Sequence, residues 1–398
     1  MKRLFKHKIQ IVLALLLLGL VGVHQNCTQR ISSSMLAAVD GSTYTVGSTS
    51  SGTPNPSPTP APSIVQISSG ASHTCAIDSN SSLQCWGNNS AGQVGVSSPP
   101  YLPNPTTIFT AGVSAVAAGN THTCAVVNGA LWCWGDNFYG QLGNGNNLNQ
   151  RTPVSVIPSG VTAVWVGGYH SCALVGGALE CWGNNASGQL GIGNNVNQNS
   201  PQQVIAAGVT AGAGGESHTC AILGGALECW GLDSSSQLGD GGTTNQNTPE
   251  TIMDAGIVSV SAGLAHTCAV GTTGALLCWG DNTFGEIGDG TTDIRPTPLT
   301  LYTSGIASVG AGKNYSCAVT TNGAIQCWGA NNDGQLGNST TNTELNPVMA
   351  ITSGASAVST GSDHTAAIVN TEVWYWGLQY TDTTGDMKIT STPFVYLQ

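Results

Sequence analysis

Seven copies of one segment, 48 or 49 residues long, fill most of the 398-residue chain. The first cysteine of a pair falls at Cys75, Cys124, Cys172, Cys220, Cys268 and Cys317. One further step of 49 lands on Ala366, in the same surroundings without the cysteine. A chain of this kind folds as a stack or ring of like units, because no unit buries its apolar face alone. Each copy holds an alternating segment such as VSAVAAG (113–119), then HTCAV (122–126), a short turn and LWCWG (131–135). A Gly/Asn segment, NFYGQLGNG (137–145), and a closing PVSVI (153–157) complete it. Alternation, β-branched residues and Gly/Asn punctuation mark short strands, so each copy reads as one small sheet of about four strands. The 54 Gly and 17 Pro weigh against long helices.

Turn chemistry sets the register of the cysteines. Asn128-Gly129 lies midway between Cys124 and Cys133, and Asn-Gly is the strongest two-residue hairpin signal. Counting outward, Val127/Ala130 is a hydrogen-bonded pair, Val126/Leu131 is not, Ala125/Trp132 is, and Cys124/Cys133 is not. Non-bonded partners bring their Cα atoms to about 4.5 Å, within disulfide reach. Gly176-Gly177 and Gly224-Gly225 give the same register in copies three and four. Copies five and six use three-residue loops ending in Gly274 and Gly323, where a left-handed residue is wanted. Copy one has the weaker Ser79-Asn80-Ser81, and copy seven centres on Asn370-Thr371. The spacing predicts the pairs Cys75–Cys85, Cys124–Cys133, Cys172–Cys181, Cys220–Cys229, Cys268–Cys278 and Cys317–Cys327. Reduced core cysteines are the competing reading, and they would leave this register without a cause. Twelve paired cysteines imply an oxidising compartment.

These residues resemble a known repeat. GxxHTCA…CWGxNxxGQLGxG, as in WGDNFYGQLGNG (134–145) and WGANNDGQLGN (328–338), is similar to the RCC1 (regulator of chromosome condensation) repeat, and the likeness covers 64–398. The resemblance implies an all-β fold, a seven-bladed β-propeller of RCC1-like repeats. Such rings usually close by mixing strands from both chain ends in one blade, and the sequence does not say how strands are shared. The founding member binds chromatin through basic segments and exchanges nucleotide on a small nuclear GTPase through a wedge inserted in one blade. No basic segment of that kind is present, and no copy departs from 48–49 residues. Another relative, a secreted bacterial propeller, inhibits β-lactamase by binding it. The resemblance therefore points to a bacterial secreted or lipoprotein-type member.

The N-terminus carries an address. Lys2, Arg3, Lys6 and Lys8 precede the apolar run IQIVLALLLLGLVGV (9–23), and Cys27, the odd thirteenth cysteine, follows. Fifteen apolar residues are marginal for a span but suit a signal-peptide core. The arrangement resembles a bacterial lipoprotein signal with Cys27 as the lipidated residue, although His24 and Asn26 depart from its usual box. An ordinary secretory signal or an uncleaved anchor is the alternative. The expected organisation is a signal peptide (1–26), a Ser/Thr/Pro-rich tether (27–63) and the propeller (64–398). Thr28 carries no acidic retention signal, so the expected location is the outer membrane of the cell envelope, facing the periplasm or the surface, with secretion as the alternative. From Cys27 onward five basic residues stand against 20 acidic ones, a balance of −15 that excludes a phosphate-neutralising face. No nucleic-acid partner is expected.

Candidate sites are few. Trp86, Trp134, Trp182, Trp230, Trp279, Trp328 and Trp376 recur once per copy and read as blade-to-blade packing, with sugar-stacking platforms as the other use. His73, His122, His170, His218, His266 and His364 precede each first-cysteine position by two, with Tyr315 in the remaining copy. Placed on separate blades, they are read as structural neighbours of the disulfides and not as ligands of one metal. Asp240 and the Asp289–Asp293 run offer too few oxygens for a calcium loop. No metal, cofactor or catalytic constellation is expected. Variation is greatest after CWG, in 88–105, 136–153 and 232–249, where repeat folds place binding loops. Tyr101, Phe138 and Tyr139 lie in these loops, and Trp132, Trp165 and Trp374 stand off the repeat register. All six are candidate binding contacts. The sequence therefore reads as a monomeric, lipid-anchored, extracytoplasmic scaffold that binds a protein or a glycan and is not an enzyme. A small-GTPase regulator and an enzyme with a site in the propeller channel are the alternatives.

Overall fold

A computed structural model describes residues 62–397. The signal peptide, Cys27 and the tether up to residue 61 lie outside the described residues. Every element described is a strand, and the strands form seven four-stranded antiparallel sheets. The first blade runs Ile64–Ser69, His73–Asp78, Leu83–Asn88 and Tyr101–Phe109 from channel to rim. Six further blades cover 113–157, 161–205, 209–253, 257–302, 306–351 and 355–397. Each sheet consists of four consecutive strands. The expected mixing of strands from the two chain ends does not occur.

Within each blade the second and third strands pair in the register read from the turns. Cys124 faces Cys133, and Val127 faces Ala130 across Asn128-Gly129. Six disulfides join the six predicted pairs, with Cα atoms 4.0–4.1 Å apart. In blade seven Ala366 faces Tyr375 instead, and the Tyr375 ring stacks on His364 at 5.2 Å.

Blades are wedged together by buried polar contacts that follow the repeat. The indole N–H of Trp134, Trp182, Trp230, Trp279, Trp328 and Trp376 donates to a main-chain carbonyl of the preceding blade, at 2.8–3.0 Å. A second ring lies beside it. His73, His122, His170, His218 and His266 each place Nε2 2.7–2.9 Å from the Thr or Ser hydroxyl of the next blade, and His364 closes the circle onto Thr74. From Thr123 to Ser316 these hydroxyls donate to the same carbonyls that the tryptophans use. A hydroxyl has one proton, so it must accept from the imidazole, which fixes the Nε2–H tautomer. Burial pushes all six histidines down to about 3 to 4, so they are neutral. In blade six Tyr315 takes the histidine's place and donates to the His364 carbonyl.

The seam between blades seven and one keeps the histidine contact but not the tryptophan one. Trp86 Nε1 is buried without a partner, and its ring stacks on Tyr396 at 5.3 Å. Tyr101 stacks on Tyr380 at 4.8 Å, and the Tyr396 hydroxyl donates to the Pro103 carbonyl. Aromatic side chains thus do at this boundary what shared strands do in an interlocked ring.

Candidate binding face

Inner strands run toward one end of the channel, so each blade puts two connections there: the tight turn after the inner strand and the long loop after the third strand. Short hairpins and blade-to-blade links occupy the opposite face. The chain enters the propeller on that hairpin face, where Ile64 N–H donates to the Thr371 carbonyl at 2.9 Å.

A cavity of about 350 Å³ opens at the centre of the loop face. The tight turns of all seven blades line it, and between neighbouring turns runs a circle of main-chain hydrogen bonds, from Ala71 N to Gly119 O at 3.1 Å through Ser362 N to Ala71 O at 3.3 Å. Glycine before each turn is a packing need. A Cβ on Gly167 would come within 2.1 Å of the His170 ring and 2.3 Å of the Gly215 carbonyl. The two residues between that glycine and the histidine are free to vary, and they supply the chemistry of the cavity: Asn120, Tyr169, Glu216, Leu264, Lys313 and Ser362. Asn120 Nδ2 donates to Glu216 Oε2 at 2.8 Å, joining blades two and four. Burial holds the Asp363 carboxyl, next to Ser362, above its ordinary range, and Lys313 works against that rise.

Around the cavity stand the long loops, stiffened from within. Asn137 Oδ1 accepts from Leu142 N–H at 3.0 Å while its Nδ2 donates to the Asn146 and Leu148 carbonyls. Asn185, Asn282 and Asn331 repeat the device. Long loops also hook onto the outer strand of the next blade, Asn199 Nδ2 to Asn147 Oδ1 and Asn247 Nδ2 to Asn195 Oδ1, both at 3.2 Å. These rigid loops hold apolar side chains out in water: Phe138 is 70% exposed, Leu148 69% and Val196 63%, and Ile294 and Phe284 are exposed as well. Phe138 meets Tyr139 edge-on at 4.9 Å, and Tyr139 meets Tyr169 on the cavity wall at 5.5 Å. An aromatic path thus runs from the loop tips to the channel mouth.

Of the six aromatic candidates, the structure brings Phe138 and Tyr139 together on this face. Tyr101 lies in the seam. Trp132 packs edge-on against Phe109 of the preceding blade at 6.1 Å. Trp374 is half-buried, with its indole N–H on Glu372 Oε2 at 3.3 Å. Trp165 lies against blade four, where Gly212 stands at the valine position of the sister strands. A Cβ there would come within 3.3 Å of the indole. The cavity residues Asn120, Tyr169, Glu216 and Lys313 were missed by the sequence reading. Their signal is the variable pair inside the otherwise constant GxxH. Among the described residues, no three His, Cys, Asp or Glu side chains converge as a metal-binding group.

Comparisons with known proteins agree with this architecture. Solved structures that share it include Prp20p from Saccharomyces cerevisiae, at 23% identity over 76% of this chain and 82% of that one, with a TM-score of 0.69. Human WBSCR16 matches at 21% identity over 77% of this chain and 86% of its own, with a TM-score of 0.68. The ectodomain of the receptor kinase CR4 from Physcomitrella patens matches at 19% over 80% and 74%, with a TM-score of 0.50. At these identities the likeness shows the fold. No curated protein sequence matches the chain. The family model of the RCC1-like domain matches residues 31–300, and models of the RCC1 repeat match 306–335 and 322–368. A repeat-by-repeat fit and a family model that spans more than half of the sequence agree: the chain belongs to the RCC1-like domain family.

Proposed function

We propose that this protein is an extracytoplasmic, lipid-anchored binding scaffold whose loop face receives a protein partner. One observation carries the reading: five exposed apolar side chains stand on preorganised loops of a single face, around a polar cavity. Rigid loops lower the ordering cost of association, and exposed apolar side chains set around a polar centre suit a protein surface better than a sugar. Six disulfides support an oxidising compartment. Prp20p, whose fold is similar, binds Gsp1p and histones, which supports protein binding as a use of this fold. A histone-like basic partner is compatible with the acidic balance of this chain, whereas a cytoplasmic GTPase belongs to another compartment. Binding is favoured over catalysis because the six repeat histidines, the natural proton-transfer groups, are buried and engaged between blades.

The test is crosslinking in living cells followed by capture of the tagged chain. A specific partner is expected with the wild type and with a hairpin-face variant, Asn80→Ala. The loop-face variant Phe138→Ser/Leu148→Ser, shown to be folded by its circular dichroism, is expected to lose it. Equal capture by all three removes the loop face from the reading. Retention of the Cys27→Ala chain in the membrane fraction would remove the lipid anchor.

A further inference from the structure

The long loop of blade four departs from its sisters in a way that leaves negative charge without a partner. In blade two, Asn137 Nδ2 donates to Asn144 Oδ1 at 3.1 Å, to the Asn146 carbonyl at 2.9 Å and to the Leu148 carbonyl at 3.1 Å. Blade five does the same with Asn282 and Asp289 Oδ1, at 3.2 Å. Blade four has Asp233 at this place. Its Oδ1 keeps the usual bond, from Leu238 N–H at 2.9 Å. Its Oδ2 sits where the sister amides carry their NH2, in a fully buried side chain, and has no hydrogen-bond partner.

The neighbours are also anionic. Asp240 stands in the register of Asn144 and Asp289 and faces Asp233, and Glu250, further along the outer strand, adds a smaller repulsion. Blade five shows what such an aspartate takes when a cation is at hand: Asp289 is paired with Arg295. Arg295 lies opposite Gly280 in its ladder. The matching residue of blade four, opposite Gly231, is Gln246. No Lys or Arg occurs between Arg151 and Arg295.

We propose that a hard divalent cation of the calcium class occupies this loop, held between the Asp233 and Asp240 carboxylates. The carbonyls of Gly242, which also accepts from Ser236 Oγ at 2.8 Å, and Thr244, in the register of Asn146 and Leu148, complete the protein's share of its oxygens. An all-oxygen set of two carboxylates and main-chain carbonyls selects Ca²⁺ over thiophilic or imidazole-seeking metals. The sister amide spreads its donors over three acceptors at once. A cation does the same, whereas a proton on Asp233 satisfies one acceptor. The proton is nevertheless the competing occupant, since burial and the neighbouring carboxylates push the Asp233 carboxyl up to about 7.

The test is calorimetric titration of the purified chain, stripped with EDTA, with Ca²⁺, alongside its thermal melting. One ion per chain is expected, with a dissociation constant of roughly 10⁻⁴–10⁻³ M, as in extracellular calcium modules. The melting temperature should rise as the site fills. Asp233→Asn restores the residue of the sister loops, so this variant folds without the ion. Its heat of binding should vanish, and its melting should no longer respond to Ca²⁺. Absence of both heat and melting response in the wild type at a pH well above 7, where a proton no longer competes, overturns the proposal. Binding that persists undiminished in Asp233→Asn overturns it as well, because the ion then lies elsewhere. Neither result bears on the loop-face partner.

Discussion

At Thr219 one hydroxyl holds both sides of a blade boundary, accepting from His170 Nε2 and donating to the Gln189 carbonyl, each at 2.8 Å. Thr219→Val removes it and leaves a buried N–H unpaired, which costs about 1–3 kcal/mol. A lower thermal midpoint is expected, with Thr219→Ser close to wild type. Equal midpoints for all three would show that the histidine ring adds nothing net. Thr371 offers the opposite sign. It sits at φ 73° in a hairpin whose sisters place Gly129, Gly177 and Gly225 there at 77–92°. A β-branched residue is strained in that region, and the side chain is exposed. Thr371→Gly is expected to stabilise by about 1 kcal/mol, read as a raised midpoint. A fall would reveal a contact of the threonine that outweighs the strain. The repeat histidines were legible as structural from their even spacing over six of the seven copies. Their hydroxyl partners were not, because the bond runs between copies and the sequence shows only its two ends, about 50 residues apart.

Hairpins were the most legible elements. Asn-Gly and Gly-Gly turns fix a two-residue period from the turn outward, and that period alone aligns Cys172 with Cys181. Each disulfide closes a loop of 9 or 10 residues, worth about 2.5–3 kcal/mol in the chain-entropy model. Cys172→Ala/Cys181→Ala should lower the unfolding free energy by about that amount while the β-sheet spectrum persists, since blade seven folds with Ala366 in this place. Loss of the folded spectrum at room temperature would mean that the pair is required for blade three to form at all. The cavity was less legible than the hairpins. Its residues lie in turns whose only constant members are a glycine and a histidine, and nothing in one copy says that seven such turns meet.

The whole ring responds to acid through its histidines. Their folded pKa values of about 3 to 4 lie below the ordinary 6.5, so the unfolded chain binds more protons between those limits. Their contribution to stability is complete above about pH 6.5 and is lost as the pH falls. Asp233 and Glu286, each pushed up to about 7 chiefly by burial, act in the other direction over part of that range. Near pH 5.5 unfolding should therefore take up about four protons, a slope on the order of 5 kcal/mol per pH unit. Urea midpoints measured on calcium-free protein from pH 7 to 5 should drop steeply. A flat profile would show that the imidazoles are already charged in the folded ring. Ring closure was the feature least legible in the sequence, because it depends on Trp86, Tyr101, Tyr380 and Tyr396, which meet only after seven wedges have turned through a circle.

That closure has a consequence for descent. Every blade is an unbroken run of about 48 codons, so unequal crossing-over between repeats inserts or deletes a whole blade and strands no orphan partner. In an interlocked propeller the first and last repeats are hostage to each other, and losing one unmakes two sheets. Here only the aromatic clasp must be found again after each such event, and the gene is free to lengthen or shorten one blade at a time.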